Sequence, residues 1–366
     1  MEWTKTEKRQ LAIFFAIAFG VPYLMGIAMA FAQRAGADTS AFANAQMFYP
    51  AAGAMLALLV TRRGDQTLPR RFYFGFLVLT ALMGVTALGT VTVPALAVTV
   101  STWIMVVGSL VCWVLYFVDG KARRATGGLG LTGTGGKGAV TTVLLFLALY
   151  LGRYVILIVL TKLTDPTATL ADMGFSADPV YSLLVVVSLP LSFVLAFAPF
   201  FGEEYGWRAF LQPLLQKRFG PRAGVVLLGV LWGFWHLPLN VFYYSPATWL
   251  QSLTNQIILC VSLAAFFGYA QLKTRTVWVP VILHFLNNNL IAVFAGSTDV
   301  ISNQVIGWAD VAVSGVLLAA LYLPSLLSPV FRGAAQPTLP LPAPAEAATP
   351  ADPGEAKQPP QYGPLN

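Results

Sequence analysis

Glu203 and Glu204 stand side by side at the end of a long apolar run, in Phe201-Gly202-Glu203-Glu204-Tyr205-Gly206-Trp207-Arg208, and the only two histidines, His236 and His284, follow in the same half of the chain. Ionisable groups within or beside apolar runs are costly to keep from water and usually face a partner, a cavity or a substrate path. A single buried histidine is ordinarily a hydrogen-bonded core residue. Two out of two, each set among further polar groups, point to a shared site capable of acid–base chemistry or of holding a metal. Residues four apart share a face of a helix, which puts Arg208 one turn from Glu204 as an ion pair, Trp232 one turn from His236, and Asn288 one turn from His284. Glu203 is rotated by about 100° from Glu204 and keeps no internal countercharge. The expectation is one structural acid, Glu204, and one available acid, Glu203. Asn288 is expected to line a polar pocket with His284, and Asn287 and Asn289 to bond between helices. Arg153, also inside an apolar run, fits either a substrate carboxylate or a structural ion pair; the ion pair is the expectation.

These residues need elements to hold them, and the composition says what kind. With 57% hydrophobic and 10% charged residues and a mean hydropathy of +0.70, the chain lies far from the soluble range, in which about a quarter of residues are charged. It reads as an all-α, polytopic membrane protein, because only helices and closed barrels cross a bilayer and the apolar runs are roughly 18 residues or longer. Ten spans are predicted, at about 11–32, 44–61, 72–92, 95–118, 139–161, 180–202, 223–243, 253–271, 278–295 and 308–328. The first is too long for a signal-peptide core and is read as a retained span.

Loop charge supports that count, since Lys and Arg gather on the cytoplasmic side. Alternate connections carry Lys5, Lys8 and Arg9; Arg62, Arg63, Arg70 and Arg71; Lys121, Arg123, Arg124 and Lys137; Lys217, Arg218 and Arg222; and Lys273 and Arg275. The opposite connections hold only Arg34 and Lys162, together with Asp38, Asp165, Asp172, Asp178 and Asp299. Both termini are therefore expected in the cytoplasm. The formal charge of +7 is explained by this topology, and nucleic acid is not an expected partner. Cys112 and Cys260 lie in separate apolar runs without metal-ligand spacing and are expected in the core. The Pro- and Ala-rich stretch 331–366 is read as a disordered cytoplasmic tail.

Depth can be compared along straight helices at about 1.5 Å per residue. Glu203 precedes Lys217, and His236 follows Arg222, by the same interval, so both lie about 21 Å from the basic membrane face. His284 follows Arg275 at about 14 Å, with slack at Pro280. A shared intramembrane site reachable from the cytoplasm is the result.

Glu-Glu-x-x-x-Arg, then an aromatic-x-x-x-His, then His-x-x-x-Asn on successive spans resembles the CAAX protease and bacteriocin-processing family of intramembrane proteases, to which the Ras-converting CAAX endopeptidase is related. The resemblance covers about Pro179 to Ala295, and Trp232 stands where many members have Phe. It implies endopeptidase chemistry with Glu203, His236, His284 and Asn288 at the catalytic positions, and with Glu204 and Arg208 matching the second acid and the basic residue of the motif. Glu203 would then be the base, assisted by His236, with His284 and Asn288 toward the oxyanion. The same Glu203, His236 and His284 match the ligand set of some catalytic zinc centres, although no His-Glu-x-x-His spacing is present. The cofactor expectation is none or zinc, with metal-free glutamate catalysis preferred.

The expected organisation is spans one to five over 1–162, a catalytic membrane core over 163–330, and the tail. Expected partners are a membrane-associated peptide or protein substrate and the lipid bilayer, with a bacterial plasma membrane as location. Two other classes remain open on the residues alone: a proton-coupled transporter relaying protons through the acids and histidines, and a non-catalytic immunity or partner protein of the membrane.

Overall fold

The computed structural model describes residues 2–120, 129–131, 136–175, 178–295 and 301–333. Its described residues form helices and no strands. In chain order they are α1 (Lys5–Arg34), α2 (Ser40–Thr61), α3 (Arg70–Gly89), α4 (Pro94–Val118), α5 (Gly136–Thr164), α6 (Pro179–Leu195), α7 (Phe197–Phe219), α8 (Pro221–Tyr244), α9 (Pro246–Thr274), α10 (Trp278–Ala295) and α11 (Trp308–Leu327). Among the described residues, nine are long and apolar enough to cross a bilayer, and α6 with α7 makes a tenth if the bent pair is one span. The protein is thus a polytopic, integral, all-helical membrane protein. The predicted tail lies outside the described residues from 334 onward, and the loop basic residues Lys121, Arg123 and Arg124, with Asp299, also lie outside them.

The sixth predicted span ran straight through 180–202, whereas the chain bends by 69° between α6 and α7. Pro199 is the physical reason. It has no N–H to give to the carbonyl four residues back, at Leu195, and its ring crowds that carbonyl. The groups this break releases are taken up by α4: Trp113 Nε1 donates to Val194 O at 3.0 Å, and the Ala198 N–H donates to Ser109 Oγ at 3.0 Å. The bend separates α7, with every residue from Phe197 to Leu211 buried, from α6, which buries none of its residues within the protein.

Close approach of α8 and α9 fixes the other half of the site. A Cβ on Gly229 would lie 2.5 Å from Val261 Cα, and one on Gly233 would lie 2.7 Å from Ile257 Cα. The two backbones therefore touch along a small-xxx-small stripe, the packing that membrane helices use where no hydrophobic force draws them together. His236 follows one turn later.

The N-terminal helices share this core. Trp235 Nε1 donates to Ala18 O at 2.7 Å, Gln46 Nε2 donates to Trp235 O at 2.9 Å, and the hydroxyls of Tyr73 and Tyr205 are 2.6 Å apart. Ala18 lies in a π-helical turn, Ala16–Gly20, and such turns loosen the regular backbone ladder. The two ends of the described chain meet at one end of the bundle. Trp3 Nε1 donates to Leu214 O, Lys217 Nζ donates to both Glu7 oxygens at 2.7 and 2.8 Å, and Arg222 Nε donates to Leu326 O at 2.8 Å.

Candidate active site

Local backbone irregularity presents each reactive group. The α-helical start of α7 passes at Tyr205 into a π-helical stretch, Tyr205–Leu211, immediately after the two acids. In α8 the regular helix stops at Trp235, and a third π turn follows over Asn240–Tyr244. π turns are rare and occur often at functional sites. Because Pro238 cannot donate to Phe234 O, that carbonyl instead accepts from Tyr23 OH at 2.8 Å. The His236 N–H bonds to Gly233 O at 3.1 Å, which frees Trp232 O for the ring: His236 Nδ1 is 2.8 Å from it. A carbonyl can only accept, so Nδ1 carries the proton and a neutral His236 offers Nε2 as an acceptor. Asn240 Nδ2 donates to His236 O at 2.9 Å and Ser252 Oγ donates to Asn240 Oδ1 at 2.6 Å, tying this turn to α9.

Both acids are buried and do different work. Glu204 and Arg208 are each 0% exposed, and Arg208 Nε donates to Glu204 Oε2 at 2.9 Å. The other oxygen, Glu204 Oε1, lies 2.9 Å from His284 Nδ1. Glu204 is therefore a bridge between a guanidinium and an imidazole, where the spacing had suggested the arginine alone. The guanidinium of Arg208 stacks on Trp232, 4.9 Å from the ring centre, a contact that favours a cation. Glu203 Oε2 accepts from two indoles, Trp232 Nε1 at 2.9 Å and Trp207 Nε1 at 3.3 Å. Glu203 Oε1 has no hydrogen-bond partner among the described residues.

Glu203, His236, His284 and Asn288 all line one cavity of about 400 Å³, within helices that cross the apolar layer. Arg153, Tyr150 and Tyr154 of α5 line it as well. Asn288 is exposed and accepts from Asn287 Nδ2 at 3.0 Å. Asn289 Nδ2 donates to Phe285 O of its own helix at 2.8 Å. The inter-helix bonding expected of Asn287 and Asn289 is thus confined to a 3.5 Å contact from Tyr150 OH to the Asn287 carbonyl. Cys112 and Cys260 are free and buried, the latter in the cavity wall 3.9 Å from His236 Nδ1. Arg153 has no carboxylate partner among the described residues, contrary to the ion-pair expectation; its Nη2 donates to Tyr154 OH at 3.1 Å.

Trp207 and Trp232 as donors to Glu203 were missed in the sequence. An indole one turn from a lone acid in a span, as Trp207 is from Glu203, was the available signal. Whether the site could hold a metal can be tested on its donors. Glu203, His236 and His284 each have one polar atom already engaged, and among the described residues no three His, Cys, Asp or Glu side chains are grouped as a metal ion would need. The engaged atoms leave His236 Nε2, His284 Nε2 and Glu203 Oε1 as those available for chemistry.

A helical membrane protein with an acid–histidine cavity enclosed among its spans is the class that this architecture defines. Residues 185–290 match the family model described as Type II CAAX prenyl endopeptidase Rce1-like. A stretch of 108 residues is 30% identical to a protein of Methanococcus maripaludis named CAAX prenyl protease 2, covering 27% of this chain and 39% of that relative. The chain thus spans well under half the length of the curated relative it matches. No solved structure matches it. The segment 185–290 is thus similar to the CAAX protease family.

Proposed function

We propose that the protein is an intramembrane endopeptidase that hydrolyses peptide bonds of membrane-associated proteins or peptides, using water activated by Glu203 and His236. The observation that carries this reading is the convergence of Glu203, His236, His284 and Asn288, from three separate helices, on one cavity, in a chain whose segment 185–290 matches a protease family model. Peptide hydrolysis needs a base for water, donors for the oxyanion, and an acid for the leaving amine. In this scheme His236 Nε2 accepts one hydrogen bond from the water while Glu203 Oε1 removes the other proton as the oxygen attacks the carbonyl carbon. The developing oxyanion is met by Asn288 Nδ2 and by His284 Nε2 as an imidazolium, Glu203 and Glu204 together offsetting its charge and that of Arg208. Collapse breaks the C–N bond, and Glu203 returns its proton to the amine. Trp207 and Trp232 hold the other carboxylate oxygen, so that Glu203 presents a fixed atom rather than a rotating group.

The topology proposed with it places both termini and the basic loops in the cytoplasm of a bacterial plasma membrane. The meeting of Trp3, Lys217, Arg222 and Leu326 at one end of the bundle supports a common side for the two ends. The test of function is cleavage of a reporter peptide spanning the bilayer of proteoliposomes, by the wild type and by Glu203→Ala, His236→Ala and His284→Ala variants with retained thermal unfolding transitions. Cleavage by the wild type and its loss in all three is expected; equal cleavage in the variants would sink the assignment.

A further inference from the structure

Arg153 is a charge deep inside a span. It lies eleven residues before Thr164, the end of α5, hence about 16 Å into the helix at ~1.5 Å per residue. A permanent cation at such a depth needs an anion, and Arg cannot shed its proton to escape the cost. Tyr150, Arg153 and Tyr154 occupy one face at spacings of three and four, and the guanidinium carbon lies 5.0 and 4.8 Å from the two phenol ring centres. Aromatic contacts of this kind hold the flat faces of a guanidinium and leave its edge of N–H donors available. One donor is used, by Nη2 to Tyr154 OH. The others have no partner among the described residues, and all three side chains line the cavity that contains Glu203. Tyr150 OH in turn reaches the Asn287 carbonyl at 3.5 Å, which joins this wall to the helix of His284 and Asn288.

We propose that Arg153 is the anion-binding subsite of this cavity: it receives a carboxylate of the bound polypeptide through a two-pronged guanidinium contact and so sets which bond reaches Glu203. The proposal rests on the cavity being the protease site. A planar fork resting against two phenols suits a carboxylate better than a single spherical ion, because both oxygens can be met in one plane. Two sources offer that chemistry, the free C-terminus of the substrate and an Asp or Glu side chain within it. Either would orient the chain along the cavity, with the carboxylate on the α5 wall and the scissile bond toward α7 and α8.

Binding and cleavage can be read separately. In Glu203→Gln protein in detergent micelles, fluorescence titration compares a dansylated, N-dodecanoylated apolar hexapeptide bearing a free C-terminal carboxylate with its C-terminal amide. A second, amidated pair differs by Asp against Asn at the penultimate position. The acidic member of one pair is expected to bind about tenfold or more tightly than its neutral partner, as a charge-assisted pair in an apolar setting would give. Adding Arg153→Gln should erase that ratio, and the pair that responds names the source of the carboxylate. If Arg153→Gln lacks a cooperative unfolding transition, Arg153→Lys decides the matter, because a point charge without the fork should lower the ratio by about threefold or more. Equal binding of acid and neutral peptides, or a preference unchanged in the Arg153 variants, would overturn the proposal. Cleavage of the same peptides by protein with Glu203 intact, where Arg153→Gln should raise KM rather than lower kcat, is a separate readout. Arg153-dependent binding with no cleavage at all would sink the protease reading and leave the subsite standing.

Discussion

Glu204 Oε1 and His284 Nδ1 lie 2.9 Å apart across eighty residues of sequence, and the same carboxylate takes Arg208 Nε at 2.9 Å on its other oxygen. One fully buried acid thus fixes the orientation of an imidazole and balances a guanidinium. Removing one partner of a buried charge pair usually costs about 3–5 kcal/mol, because the other charge is left uncompensated. Glu204→Gln is expected to lose about that much stability in a detergent unfolding titration and to lower cleavage by about 10²-fold, through a misoriented His284. Wild-type unfolding in this variant would contradict the bridging role.

Glu203 has a different set of partners and predicts a different result. Its Oε2 is held by indole donors from Trp232 and Trp207, and an amide oxygen can accept the same bonds. Glu203→Gln should therefore keep or raise the unfolding midpoint while cutting cleavage by about 10³-fold or more. Trp232→Phe keeps an aromatic ring over Arg208 but removes one donor; a drop in kcat of about tenfold with folding retained is the expected outcome, on the scale of one lost hydrogen bond to a charged group. A Glu203→Gln variant that cleaves at the wild-type rate would remove Glu203 from the mechanism.

How far the sequence could be read depended on the range of the interaction. Apolar runs and alternating loop charge located the spans, since both are local and dictated by the bilayer, and the i, i+4 pair Glu204–Arg208 was visible for the same reason. The bend at Ala196 was signalled by Pro199 but was hidden by an unbroken apolar run that continues past it. His284 as a second partner of Glu204 was not legible, because no local spacing tells which face of one helix meets which face of another eighty residues on. Arg153 stayed open between two readings for a related reason: a buried charge demands an anion, but nothing local distinguishes an intramolecular anion from one that arrives with a ligand. The stripe Gly229 and Gly233 was readable and was passed over, though it fixes the approach of α9 to the His236 turn.

Metal dependence can be decided on the purified protein. The proposed scheme runs on glutamate without a metal, and among the described residues no three His, Cys, Asp or Glu side chains are grouped as a metal ion would need. Zinc well below one equivalent per chain by elemental analysis, with cleavage unchanged after dialysis against a chelator, is the expected result. Stoichiometric zinc whose removal abolishes cleavage and whose return restores it would replace the glutamate scheme.

The proposed topology makes its own demand. Trp3 and Arg222 reach Leu214 and Leu326 at one end of the bundle, so reporters fused to the N-terminus and after residue 333 should be active on the same side, the cytoplasmic one. A periplasmic reporter that works only outside the cytoplasm should be silent at both ends and active in the connection between α1 and α2. Opposite signals from the two ends would require an odd number of crossings.

The final prediction concerns the contact that sets His236 in place. A Cβ at Gly233 would come 2.7 Å from the Ile257 backbone and one at Gly229 2.5 Å from that of Val261, with backbone atoms that cannot swing aside as a flexible side chain would. Overpacking of this kind typically costs about 1–3 kcal/mol. Relief by sliding α8 along α9 would also move the His236 turn, which Asn240 and Ser252 tie to α9, and a shift of about 1 Å at a reacting group can cost about 10²-fold in rate. Gly233→Ala should therefore lower kcat more than its loss of stability alone explains at temperatures well below its unfolding midpoint. The control is Gly152→Ala in α5, where an added Cβ meets nothing within 4 Å and both stability and kcat should hold. Equal behaviour of the two alanine variants would show that α8 and α9 are not packed backbone to backbone.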